Sequence, residues 1–125
     1  MGQRRILVIG SQCQALGRLS FLPQAAQDLY EVMTDSNLGG CVSALDGRAG
    51  LLIDPSVKDA KDAIKTAYRS AAQDEATQFI AYIGHGERVR KNLYLLPHDA
   101  KNPVLRKNSI KTGPGVSSDA ALHMA

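Results

Sequence analysis

Hydrophobic residues along this chain form short continuous runs, separated by stretches in which they recur every three or four positions. Residues 6–9, Ile-Leu-Val-Ile, are an unbroken apolar run that ends at Gly10. Such a run is typical of a strand that is buried on both faces of a parallel sheet. Residues 41–45, 79–83 and 93–96 are further short runs of mainly apolar residues. We therefore predict strands at all of these places.

Two stretches predict helices. Pro23 suits a first helical turn, and the apolar residues behind it recur at helical spacing as far as residue 34. Ser56, with Asp59 three residues further on, has the spacing of a capping box. The apolar positions from Val57 to Ala71 then lie on one face of a helix.

The connections between these elements suggest how the chain is folded. Asp46-Gly47 is a hairpin signal, so residues 51–53 are predicted to return antiparallel to residues 41–45. Proline and glycine recur over residues 97–115, which predicts a loop, and a further helix is predicted to begin near residue 117.

Alternating strands and helices imply parallel strands joined by right-handed crossovers. The predicted fold class is α/β, a three-layer α/β/α sandwich with a mostly parallel sheet. The 125 residues fit one domain.

Composition excludes several function classes. The chain is 44% hydrophobic and 22% charged, which is ordinary for a globular protein. Its formal net charge is +3 with aromatic residues at only 5%, so we predict no nucleic-acid partner. No apolar run has membrane-spanning length and no signal-peptide layout follows the N-terminus, so we expect no membrane partner and a cytoplasmic location.

The cysteines and histidines do not suggest a metal site. Cys13 and Cys41 are too few for a disulfide scaffold and lack the paired spacing of zinc ligands. His85, His98 and His123 are scattered without a ligand spacing. We therefore predict no metal and no organic cofactor.

Gly84-His85-Gly86 is the feature that carries chemistry. It follows a predicted strand, and functional groups of open α/β sheets collect at the carboxyl ends of strands. A histidine there can accept and return a proton near neutral pH, and the Gly86 amide can point at a developing oxyanion. The tripeptide alone is weak evidence for catalysis, because a lone histidine at a strand end is often a hydrogen-bonded structural residue.

The surrounding sequence resembles a known family. Residues 79–86, FIAYIGHG, resemble the "YFSGHG" strand and loop of caspase-like cysteine peptidases, which include metacaspases. Residues 6–10 look like the first strand of that family, and residues 22–29 are similar to its "LPGAxxDA" helix start. Residues 37–42 resemble the start of its second strand, and residues 92–99 resemble its "LYLxPxD" segment.

The resemblance runs in order over residues 4–99, and the histidine loop is its specific part. It implies a cysteine-type endopeptidase of the peptidase C14 kind, a hydrolase that acts on protein or peptide substrates. His85 would be its catalytic base and acid, and the Gly86 amide would belong to its oxyanion site. Ile83 stands where the family commonly has Ser, which should change the hydrogen bonds of the loop.

In that family the histidine acts with a cysteine on the next core strand, in an apolar run that ends in Asp-x-Cys. No such run occurs in this sequence. We therefore expect residues 1–125 to be a partial caspase-like domain that carries the histidine and is inactive alone. The nucleophile would come from the remainder of the polypeptide or from a partner chain.

Alternatives to this interpretation stay open. Cys13 follows the first strand, so a pair with His85 is geometrically possible, whereas Cys41 lies at the opposite sheet edge and should pack in the core. A second hypothesis is a non-enzymatic α/β scaffold or signalling interaction module. A flavodoxin-like receiver domain is disfavoured because Gly10-Ser11-Gln12 replaces the expected acidic cluster.

Several polar residues have a structural interpretation. His98 is expected to be a solvated loop residue, and Asp99 is expected to start a turn. Asp28 should lie on a solvated helix face. The charged residues from Glu87 to Lys91 should form a solvated loop beside the cleft.

Overall fold

The computed structural model of this protein describes residues 3–89, 91–100 and 109–112. Two helices and seven strands lie in these ranges. In chain order they are β1 (Arg4–Ser11), α1 (Leu22–Thr34), β2 (Val42–Ser43), β3 (Leu51–Ile53), α2 (Val57–Gln73), β4 (Thr77–Gly84), β5 (Gly86–Val89), β6 (Asn92–Leu95) and β7 (Ile110–Lys111). The protein is therefore a mixed α/β fold, as predicted.

Strand β1 is central to a parallel sheet. Strand β4 pairs with β1 along its whole length, from Arg4 opposite Thr77 to Ser11 opposite Gly84. Strands β2 and β3 also run parallel to β1, and β2 pairs with residues of β1 that already pair with β4. Strands β2 and β3 therefore lie on the edge of β1 that is opposite to β4.

The hairpin predicted at Asp46-Gly47 is wrong. Because β2 and β3 both run parallel to β1, the chain leaves the sheet edge after β2 and rejoins it in the same direction. The Ser43 hydroxyl stabilises the loop between β2 and β3. It accepts a hydrogen bond from the Leu45 amide at 3.0 Å and donates one to the Arg48 carbonyl at 2.7 Å. Gly47 has a φ of 80°, so the turn signal was real. This turn belongs to a loop that joins two parallel strands, not to a hairpin.

Successive residues of β1 are buried in different clusters. Leu7 and Ile9 pack with the buried face of α2, whose members in this cluster are Ala60, Ala63, Ile64 and Ala67. Ile6 and Val8 pack with Ala26 of α1. Since neighbouring residues of a strand point to opposite faces, the two helices contact opposite faces of β1.

Both predicted helices are present. Helix α1 has its proline in the first turn, as the sequence indicated. Helix α2 begins after Ser56, whose side chain accepts a hydrogen bond from the Asp59 amide at 3.0 Å. This contact satisfies one of the free amides of the first turn, and it confirms the predicted cap.

A second, antiparallel sheet follows β4, in the strand order β5-β6-β7. The expected solvated loop over residues 87–91 is therefore wrong for residues 87–89, which belong to β5. The loop predicted over residues 97–115 is interrupted by β7. His123 and the helix predicted near residue 117 lie outside the described residues. Within the described residues, no helix is long and apolar enough to cross a membrane.

Gly10 allows α1 to pack closely on β1, and its replacement should destabilise the protein. A Cβ at this position would lie 2.7 Å from the Ala26 Cβ, so helix and strand would have to separate. We expect Gly10→Ala to lower the free energy of unfolding by about 1–3 kcal/mol. Gly17→Ala is the control, because no heavy atom lies within 4 Å of the added Cβ. Equal denaturation midpoints for the two variants would contradict this account.

Candidate active site

His85 lies where the carboxyl ends of two neighbouring strands meet. Ser11, the last residue of β1, pairs with Gly84, the last residue of β4. The residues that follow, Gln12 and His85, therefore leave the sheet side by side. This is the edge at which open α/β sheets place functional groups.

The His85 ring has a main-chain partner. Its Nε2 atom lies 2.7 Å from the carbonyl oxygen of Gly17, in the loop that follows β1. A carbonyl oxygen can only accept a hydrogen bond, so Nε2 must carry the proton. In the neutral ring, Nδ1 is then left with a free lone pair, which can accept a proton from another group.

The Gly86 amide points away from its hairpin partner. The Leu96 amide donates to the His85 carbonyl at 3.0 Å, so His85 and Leu96 form a hydrogen-bonded pair. Pairs of this kind alternate with pairs that exchange no hydrogen bonds, and the next pair is Gly86 with Leu95. The Gly86 N–H is consequently directed outward, beside His85, where it can serve as a donor.

Glycine is the only residue type that fits at position 84, immediately before the histidine. A Cβ here would lie 2.4 Å from the Ser11 carbonyl oxygen and 3.1 Å from Cε1 of Tyr82. The first of these atoms belongs to the paired main chain and cannot move without breaking the sheet. The glycine therefore allows β1 and β4 to stay paired up to the point where His85 begins.

The residue at the family's serine position is apolar and structural. Ile83 is partly buried and packs against the cluster that contains Ile6, Val8 and Ala26. It therefore offers no hydroxyl to the histidine loop and strengthens the contact between β4 and α1.

Both cysteines are buried. Cys13 is 3% exposed, packs with Val57, Leu96 and Ala100, and its Sγ lies 3.7 Å from the Ala100 carbonyl oxygen. Its thiol therefore has a different neighbour from the His85 ring. Cys41 is buried in the core with Ile6 and Val8, which confirms the expected packing role.

The segment after β6 is hydrogen-bonded to the loops at this edge of the sheet. His98 is partly buried, its amide donates to the Pro55 carbonyl at 3.0 Å, and its carbonyl accepts from the Gln14 amide at 2.9 Å. The expectation of a merely solvated His98 is therefore wrong. Asp99 does lie in a turn, and its carboxylate also accepts from the Val57 amide at 2.7 Å, at the start of α2.

The remaining polar groups are less informative. Asp28 is exposed and accepts a hydrogen bond from the side chain of Gln24, as expected for a solvated helix face. Among the residues that the structure describes, no group of three or more His, Cys, Asp or Glu side chains could hold a metal ion.

Tyr82 is held neutral by its surroundings. Burial raises the pKa of its phenol strongly, and the buried hydroxyl has no hydrogen-bond partner among the described residues. Burial disfavours the charged phenolate, so this side chain cannot act as a base near neutral pH.

The raised pKa of Tyr82 should appear in the stability of the protein at alkaline pH. The unfolded chain loses its phenol protons from about pH 10, whereas the folded chain keeps that of Tyr82. Folding stability therefore falls as the pH rises above this value, by up to about 1.4 kcal/mol per pH unit for one group. In Tyr82→Phe this fall should be shallower by that amount.

Urea unfolding at a series of alkaline pH values measures the effect. Tyr68→Phe is the comparison, because burial raises the pKa of that phenol as well but the side chain is 40% exposed, so its effect should be smaller. Identical pH profiles for wild type and Tyr82→Phe would refute the assignment.

The hydrogen bond to Gly17 makes a second measurable prediction. The neutral His85 ring should be protonated at Nε2 and not at Nδ1, because the Gly17 carbonyl oxygen can only accept a hydrogen bond. Long-range ¹H–¹⁵N correlation spectra distinguish the two tautomers. His85→Gln identifies the signals by their disappearance, and a ring protonated mainly at Nδ1 would contradict the observed contact.

Comparison of this chain with protein-family models and with curated proteins finds no match. The site is therefore characterised by its own geometry. It consists of a histidine oriented by the Gly17 carbonyl, an outward-facing amide at Gly86, and the Nδ1 atom of the His85 ring, which is unprotonated in this tautomer.

Proposed function

We propose that this chain is the histidine-bearing part of a caspase-like, cysteine-type endopeptidase with a three-layer α/β/α fold. His85 is its general base and acid, and the Gly86 amide belongs to its oxyanion site. The substrates are proteins or peptides, and the chemistry needs no metal or cofactor. The sequence resemblance over residues 4–99 supports this proposal.

The observation that carries the proposal is the hydrogen bond between His85 and the Gly17 carbonyl. It holds the ring in one tautomer, with Nδ1 available to take the proton of a thiol. The same carbonyl stabilises the imidazolium that forms, because its oxygen carries a partial negative charge close to Nε2. This is the arrangement that an activated nucleophile requires, a base that is itself oriented by a third group.

The proposed reaction consists of an acylation step and a hydrolysis step. A thiolate attacks the scissile carbonyl, and the oxyanion that develops accepts a hydrogen bond from the Gly86 amide. His85 returns its proton to the departing amine, which leaves an acyl-enzyme. Water attacks this intermediate, His85 takes a proton from the water, and the thiol is regenerated with release of the acid.

The nucleophile has to come from outside the described residues. Strand β4 pairs with β1 on one edge, and no described strand pairs with its other edge. A further strand that carries a cysteine would fit there, supplied by the remainder of the polypeptide or by a partner chain. We place this activity in the cytoplasm, where thiols remain reduced, since neither Cys13 nor Cys41 forms a disulfide.

The alternative is a non-enzymatic scaffold or signalling interaction module with the same fold. One observation favours it: the two thiols of the described residues are buried, and their hydrogen bonds go to the main-chain carbonyls of Ala100 and Gly39. If the protein is such a scaffold, the hydrogen bond between His85 and the Gly17 carbonyl serves only to stabilise the loop after β1. The protein would then have no cysteine on a strand beside β4.

The experiment begins with the coding sequence downstream of codon 125. An in-frame apolar strand that ends in Asp-x-Cys supports the peptidase, whereas a stop codon or a strand without cysteine supports the scaffold. The longest open reading frame is then expressed and assayed on a fluorogenic peptide library. We expect turnover that falls at least about a thousandfold in His85→Gln.

His98→Gln is the matched control, because the hydrogen bonds of His98 in this region are made by its main chain. We expect that variant to keep its turnover. The 125-residue chain alone should hydrolyse nothing. Turnover by this chain that disappears in both His85→Ala and Cys13→Ala would identify Cys13 as the nucleophile and overturn the partial-domain proposal.

A further inference from the structure

We propose that Gln12 is a positioning residue for His85. Its side chain closes the loop of residues 12–19, and this closure places the Gly17 carbonyl against the histidine ring. The inference rests on the proposed function for its catalytic meaning, but the physical coupling between Gln12 and His85 can be measured without any peptidase activity.

The Gln12 side chain makes two hydrogen bonds to one residue across the loop. Its Oε1 accepts from the Leu19 amide at 2.8 Å, and its Nε2 donates to the Leu19 carbonyl at 2.7 Å. Gln12 is only 6% exposed, so water competes little for either bond. The pattern is that of a hydrogen-bonded residue pair in an antiparallel sheet, and it fixes both the distance and the orientation of the loop ends.

The main chain of Gln12 is anchored as well. Its amide donates to the Asp54 carboxylate at 2.8 Å, and Asp54 has a φ of 52°, a conformation uncommon for a residue other than glycine. The Asp54 amide in turn donates to the Gly10 carbonyl at 2.8 Å. The end of β3 therefore holds Gln12 in place, and Gln12 holds Leu19.

The loop between these anchors has few other restraints. Residues 14–18 are exposed, and the space around the Gly17 Cα is open. The other described main-chain hydrogen bonds of the loop join the Gln14 amide to the His98 carbonyl, the Leu16 amide to the Cys13 carbonyl and the Leu22 amide to the Leu19 carbonyl. The first two lie before Gly17. Beyond Gly17, the Leu22 bond at 3.2 Å ties Leu19 only to the adjacent start of α1, whereas the Gln12 side chain ties it across the loop to the end of β1.

This placement matters because, among the described residues, the His85 ring is hydrogen-bonded to one main-chain oxygen, that of Gly17. If the loop opened, the Gly17 carbonyl would move away from Nε2 and the ring could adopt either tautomer. A misplacement of about 1 Å at a catalytic group can lower the rate about a hundredfold. Gln12 would therefore affect catalysis without touching the substrate or the histidine.

The test measures the tautomers of the neutral His85 ring in the 125-residue chain by long-range ¹H–¹⁵N spectra. Gln12→Ala removes both bonds to Leu19, and Gln12→Glu keeps an acceptor for the Leu19 amide but loses the donor. We expect the population protonated at Nδ1 to increase from wild type to Gln12→Glu and again to Gln12→Ala. Gln24→Ala, which removes an exposed glutamine of α1, should match wild type.

Unchanged tautomer populations in a folded Gln12→Ala chain would overturn the inference. If that variant does not fold, Gln12→Glu has nearly the same shape, and an unchanged population in it would overturn the inference equally. In the full-length chain, Gln12→Ala should lower kcat/KM about tenfold to a hundredfold. A tautomer shift without turnover in any chain would leave the coupling intact and would refute only the proposed function.

Discussion

The burial of β1 on both faces and along both edges is the constraint on which the rest of this structure depends. Its residues Ile6, Leu7, Val8 and Ile9 are at most 1% exposed, and β2, β3 and β4 all pair with it. Burial of each such side chain stabilises a protein by about 1.5–3 kcal/mol. Because β4 pairs with β1 up to its last residue, the loops that follow the two strands must meet. The contact between Gly17 and His85 is a consequence of this pairing.

The two ends of the sheet carry different polar groups. At the amino end, Arg5 is only 5% exposed. Its guanidinium forms ion pairs with Asp46, in the loop between β2 and β3, and with Asp74, at the end of α2. These contacts join segments that are distant in the sequence. The carboxyl end carries His85 and an outward amide. The ion pairs of Arg5 and the candidate site thus lie at opposite ends of one strand pair.

The local features of this molecule could be predicted from the sequence, and the relations between distant segments could not. The apolar run of β1, the cap of α2 and the strand before His85 each follow from a few adjacent residues. Asp46-Gly47 revealed a turn but not the direction of the chain after it, which the hydrogen bonds to β1 decide. Strand β5 was missed because the exposed, charged residues Glu87 and Arg88 look like a loop.

The partners of His85 were the hardest part to predict, and the reason is chemical. Gly17 contributes a carbonyl oxygen, which every residue possesses, from 68 positions away along the chain. No side-chain pattern can mark such a partner. The position of the oxygen depends instead on the length of the loop and on the bridge between Gln12 and Leu19. The site is therefore far more sensitive to a change in the number of residues between Gln12 and Leu19 than to their identity.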